Sequence, residues 1–216
     1  MAFSLATNTA LIMLDVQKGI MMGNFPDKTP GYISKAAKLL EAVRSANKSG
    51  NKSPITIVHV KVAFRPGRPE LNPASSMGSR LKDVPANVFV EGDQSVDLFD
   101  ELVLSSKADK GEAVDATRRQ DEVFVTKRRV SALSGTDLAT VLRGREVSHL
   151  VLCGVATGGA VLSTVREAAD LDYKLTVLSD LCLDKDDEVH RLLMEKVLPM
   201  QAEVLEADEW VARGFA

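Results

Sequence analysis

Apolar runs alternate with amphipathic stretches along most of this chain. "TALIMLD" (9–15) is nearly continuous in apolar residues and ends in an acid, the pattern of a strand buried on both faces, as in a parallel sheet. In "YISKAAKLLEAVRSANKSG" (32–50), Ile33, Ala36, Ala37, Leu40 and Val43 recur at helical spacing, with Ser34 as a cap and Gly50 at the C-terminal end. The β-branched "SPITIVHVKVAF" (53–64) predicts a second strand and Glu122–Thr126 a third. Residues 65–121 are irregular and rich in Pro, Gly and Ser, with one short helix expected at 97–104. Beyond them the alternation is regular: a helix at "SGTDLATVLRGR" with Thr136 at its N-cap, then the strand "SHLVLCGV", the helix "GAVLSTVREAADLDY", the strand "KLTVLSD" and the helix "DDEVHRLLMEKVLP". "AEVLEADEWVAR" predicts a last strand or short helix. Strands that alternate with amphipathic helices build βαβ units, so the fold class is α/β with a doubly wound parallel sheet, read as a single domain over 1–216.

Composition narrows the partners. The chain has 216 residues, 45% of them hydrophobic, and a net charge of -3, which argues against nucleic acid or an anionic membrane as the main partner. Aromatic residues make up 5%, too few for a base-stacking platform. The opening "MAFSLATNTALIML" carries no basic region or long apolar core, so it does not read as a signal peptide. No run approaches the ~20 apolar residues of a membrane span. A cytoplasmic protein acting on a small molecule is expected. Cys153 and Cys182 form no CxxC pair, and the three histidines, His59, His149 and His190, show no metal-ligand spacing. No metal and no cofactor are expected.

In doubly wound sheets ligands gather outside the carboxyl ends of the strands. That rule selects Asp15 after the first strand, Phe64 and Arg65 after the second, Lys127 after the third, and the turn Val155–Ala160 after the next. Asp15 either caps the following turn or stands partly desolvated as an acid. Lys127 is either one cation of a solvated basic loop with Arg128 and Arg129, or the partner of Asp15. "GVATGGAVLST" (154–164) is a strand-to-helix turn poor in side chains, which lets a backbone or a ligand approach closely. Its N–H groups form a candidate anion cradle, but its glycines match neither GxGxxG nor a P-loop. His59 is read as a core residue, His149 and His190 as peripheral, and Cys153 as inert.

"ALIMLDVQKGI", "FVTKRRVSALSGTDLATVLR", "HLVLCGVATGGAVLSTVREAADLDYKLTVLSD" and "DEVHRLL" together resemble the isochorismatase-like, or cysteine hydrolase, superfamily. The resemblance covers most of the chain outside 66–115. It implies a three-layer Rossmann-like fold, with a six-stranded parallel sheet and helices on both faces. It also implies catalytic roles for Asp15 and Lys127, a cis peptide between Val155 and Ala156, and a homo-oligomer, dimer or tetramer. Family members commonly carry a nucleophilic cysteine in a pattern like GVATxxCVxxT. Aligning Thr157 and Thr164 puts that position at Ala160, so the thiol is missing here. True isochorismatases resemble members that also lack it, cleaving a vinyl ether to pyruvate and a dihydroxy-dihydrobenzoate. The expected chemistry is then cofactor-free hydrolysis of a small carboxylated substrate, with Asp15 as general acid and Lys127 tuning it. Arg65, Arg128 and the amides of Gly158, Gly159 and Ala160 would hold carboxylates, Gln17 would orient Asp15 or a water, and Phe64, Ala156 and Thr157 would complete the substrate site. The alternatives are a non-catalytic binding or scaffolding member, and an amidohydrolase whose cysteine is replaced by Ala160.

Overall fold

Strand β1 (Asn8–Leu14) is buried along nearly its whole length, as expected of a strand with elements on both sides. The computed structural model describes residues 8–49, 53–103 and 122–215. It contains β1, β2 (Thr56–Val62), β3 (Val123–Lys127), β4 (Val147–Val155), β5 (Lys174–Leu183) and β6 (Glu203–Leu205) in one sheet of order β3-β2-β1-β4-β5-β6. Every pairing is parallel. The sheet grows outward from β1 in one direction and from β4 in the other. With right-handed crossovers, that reversal puts the connecting helices on opposite faces.

Helix α1 (Lys18–Asn24) follows β1 directly and was not expected from the sequence. Its buried contribution is a single residue, Met21, so the stretch has no apolar stripe to announce it. Helix α2 (Thr29–Lys48) begins before the expected Tyr32 because Pro30 sits in its first turn, where a missing N–H costs nothing. Ser34 therefore lies inside the helix rather than capping it, and Gly50 is outside the described residues. Ile33, Ala36, Leu40 and Val43 form its buried stripe, as the spacing predicts.

Short elements punctuate the irregular stretch: α3 (Ser76–Leu81), capped by Ser75 Oγ on Gly78 N–H at 3.0 Å, and α4 (Asp100–Val103). The expected helix at 97–104 is thus shorter, and Leu104 lies outside the described residues. Helix α5 (Leu138–Gly144) has Asp137 at its cap position. Thr136 instead supports the turn before it, donating to Ala132 O (2.6 Å) and accepting from Leu138 N–H (3.2 Å).

After β4, residues Thr157–Val161 form one π turn, and α6 (Leu162–Asp170) continues from it. The predicted helix 186–199 is broken: α7 (Asp187–Leu192) passes into a π turn at Leu193–Val197 and a 3₁₀ turn at Leu198–Met200. The C-terminal stretch holds both β6 and α8 (Ala207–Ala212), whose Trp210 is fully buried. Among the described residues no helix is long and apolar enough to cross a membrane.

Candidate active site

The carboxyl ends of β1, β2, β3 and β4 meet where the strand order reverses. Leu14 pairs with Gly154 across the β1–β4 boundary. Gly154 has φ +130°, and a Cβ there would stand 2.1 Å from Leu14 O. Only glycine fits both the backbone conformation and the approach. The opening glycine of "GVATGG" is thus a packing requirement of the sheet.

Asp15 leaves β1 in the left-handed region, φ 58°, which short polar side chains tolerate better than most. Its N–H is held by Val60 O at 2.9 Å. Asp15 Oδ2 lies 2.8 Å from Lys127 Nζ, with both side chains almost wholly buried. Lys127 Nζ also donates to Val130 O (2.7 Å) and Arg129 O (3.2 Å). Neither a solvated basic loop nor an Asp15 turn cap describes this pair. Asp15 Oδ1 is buried and has no hydrogen-bond partner among the described residues. Burial raises the Asp15 pKa above its usual value, and the Lys127 ammonium pulls it partly back.

The Val155–Ala156 peptide bond is cis, as the resemblance implies. The N–H groups of the turn are less available than a free anion cradle requires. Gly158 N–H donates to Asp184 Oδ2 (2.7 Å) and Gly159 N–H to Ala156 O (3.0 Å). Thr157 is fully buried, and its Oγ1 lies 2.8 Å from His190 Nδ1. Ala160 is buried, 4% exposed, while Ala156 keeps partial exposure. Thr164 Oγ1 accepts from Ala132 N–H (3.0 Å), which ties the loop that holds Lys127 to the helix that follows the turn.

Several residues selected from the sequence have other occupations. Gln17 is fully buried, and its carboxamide serves backbone: it donates to Val62 O and Ser95 O (both 3.1 Å) and accepts from Val62 N–H (2.8 Å). It does not orient the Asp15 carboxyl. Phe64 is fully buried beside Val90 and offers a ligand no exposed face. Arg65 Nε pairs with Glu70 Oε1 at 2.5 Å. Arg128 Nε reaches the same oxygen at 2.9 Å, and its Nη2 pairs with Glu91. Neither guanidinium is a free carboxylate anchor.

His190, read as peripheral, touches the turn instead. It stands in α7 beside Asp184 and Asp187, whose charges raise its pKa, but desolvation outweighs them and lowers it. The signal for this residue was "DEVHRLL" itself, where a histidine sits one helical turn after the Asp186 cap, yet nothing in the sequence shows which element it faces. His59 belongs to a buried network: its Nε2 is 2.7 Å from Glu122 Oε2, and Arg44 Nε donates to Glu122 Oε1 at 2.7 Å. The thiols of Cys153 and Cys182 are buried and pushed up, Cys182 to about 12, far from thiolate reactivity.

The profile of the isochorismatase domain matches residues 9–209. An uncharacterised isochorismatase family protein of Bacillus subtilis is 33% identical over 192 residues, covering 88% of this chain and 86% of the relative. A ureidoacrylate amidohydrolase of Acinetobacter baylyi is 25% identical over 201 residues, covering 88% and 76%. The solved structure of an isochorismatase family protein from Burkholderia thailandensis superimposes with a TM-score of 0.73 at 24% identity, over 96% of both chains. A sheet of this order, a buried acid and lysine at its switch point and a profile match over nearly the full length lead to one conclusion: the chain belongs to the isochorismatase family of hydrolases.

Proposed function

We propose that this protein hydrolyses a small carboxylated substrate through acid–base chemistry by Asp15, without a covalent intermediate. The observation that carries the reading is the buried Asp15–Lys127 pair, in which Oδ2 is held at 2.8 Å and Oδ1 has no partner among the described residues. Burial favours the protonated carboxyl, the form a general acid needs. Lys127 keeps the rise within bounds and holds the group in place.

The substrate class is an enol ether of the isochorismate type. Asp15 delivers a proton to the terminal vinyl carbon. The resulting oxocarbenium carbon takes up water, and the hemiketal collapses to pyruvate and the dihydroxy-dihydrobenzoate alcohol. No step needs a nucleophilic side chain, which suits a turn where Ala160 stands at the place of the family cysteine. Neither buried thiol is a replacement.

A lactate dehydrogenase-coupled assay on isochorismate tests this. Pyruvate release by the wild-type protein, lost in Asp15→Asn, is the expected result. An enzyme that releases no pyruvate, or an Asp15→Asn variant as fast as wild type, refutes it. Similarity to a ureidoacrylate amidohydrolase supports a second reading, C–N bond hydrolysis with the cysteine lost. Amide hydrolysis regained by Ala160→Cys supports that reading, and continued inactivity counts against it.

A further inference from the structure

Arg65 and Arg128 leave the carboxyl ends of neighbouring strands β2 and β3, and Arg128 directly follows the lysine that holds Asp15. Their guanidiniums converge on one atom, Glu70 Oε1, at 2.5 and 2.9 Å. The Glu70 side chain is only 9% exposed. Its second oxygen, Oε2, is buried with no hydrogen-bond partner among the described residues. Arg65 Nε donates a hydrogen bond to Oε1, whereas Arg128 Nε meets it as an ion pair without hydrogen-bond geometry, so neither fork makes the bidentate contact that a guanidinium favours with a carboxylate. The segment that delivers Glu70 is itself anchored: the Arg68 guanidinium donates to the carbonyls of Leu81, Val84, Pro85 and Val88. The Glu70 side chain can thus swing away from the two Nε atoms without moving its segment, while Arg128 Nη2 stays paired with Glu91.

We propose that the Glu70 carboxylate is an internal occupant of a carboxylate-binding seat built by Arg65 and Arg128, which a carboxylate of the substrate must displace. The proposal rests on the hydrolase reading above for the identity of the ligand, and its test does not depend on turnover. Displacement exchanges one carboxylate for another, so the pair of arginines is never left uncompensated. It also makes the site selective, because a neutral ligand cannot compete with Glu70 for the two cations. Occupancy by Glu70 lowers apparent affinity in proportion to the fraction of molecules whose seat is open.

Pyruvate binding by titration calorimetry on the full chain tests this. Glu70→Gln keeps the shape, removes the competing charge and is expected to bind pyruvate about tenfold more tightly than wild type. The gain should shrink on raising salt, since Arg65 is largely exposed, and should vanish in Glu70→Gln/Arg128→Gln. Glu70→Asp, one methylene shorter and unable to bring its oxygen up to both Nε atoms, is expected to tighten binding by roughly threefold, which keeps the test available if the first variant folds poorly. Equal affinity in wild type and both variants, or no pyruvate binding by any of them, overturns the proposal. Repeating the comparison in an Asp15→Asn background separates the two claims. Tightened binding there, with no isochorismate turnover by wild type, refutes the hydrolysis and leaves the seat standing.

Discussion

Lys127 Nζ reaches Asp15 Oδ2 at 2.8 Å although β2 lies between the strands that carry them. Strands are spaced about 4.8 Å apart, so β1 and β3 are separated by about twice that distance. A lysine side chain is long enough to arch over the end of β2, and the carbonyls of Arg129 and Val130 accept from its ammonium. The pair thus depends on where β2 ends, and Gln17 secures that end through Val62.

The pair sets the pH behaviour. If protonated Asp15 is the working form, the rate falls as pH rises through its pKa. Lys127 lowers that pKa against the effect of burial. Lys127→Met should therefore move the falling limb to higher pH while reducing kcat by about 10²-fold or more. A pH–rate profile unchanged in Lys127→Met contradicts this assignment.

Gly154 tolerates no side chain. Its φ of +130° and the 2.1 Å approach to Leu14 O leave a Cβ no space beside rigid backbone. Gly154→Ala should cost at least about 3 kcal/mol in chemical denaturation. Gly159→Ala, whose added Cβ would meet Ala156 Cβ at an ordinary 3.8 Å, should cost far less.

The His190–Thr157 contact secures the turn from α7. Thr157→Val removes one partner of a part-buried hydrogen bond and should destabilise by about 1 kcal/mol. His190→Asn, which retains a polar group near Thr157, should lose less stability than His190→Ala. If the histidine only fills space, the two variants will melt at the same temperature.

His149 makes the fold acid-sensitive. It is almost fully buried, its ring lies 2.9 Å from Thr176 Oγ1, and burial lowers its pKa from 6.5 to about 4. Between those values the unfolded chain binds the proton more readily than the native one, so stability rises with pH across the window and is lost on acidification through it. The contribution is about 3 kcal/mol. His149→Asn should flatten stability against pH between pH 4 and 6.5 in urea titrations, and an unchanged slope there would exclude His149 as the source.

The sequence by itself determined the strands and the sheet type, because continuous apolar runs such as Ala10–Leu14 and Leu150–Cys153 bury both faces and carry that fact in composition alone. It also determined the candidate acid and lysine, since the ends of parallel strands are where ligands can reach. Tertiary structure alone decided which of those end residues are available. Glu70 and Glu91 engage Arg128, Asp184 engages Gly158 and His190 engages Thr157, all from loops or a helix remote in sequence and before any ligand arrives. Local periodicity reports the face a residue presents to its own element. The partner it meets across the fold depends on chain crossovers and loop paths, for which no short stretch of sequence holds the signal.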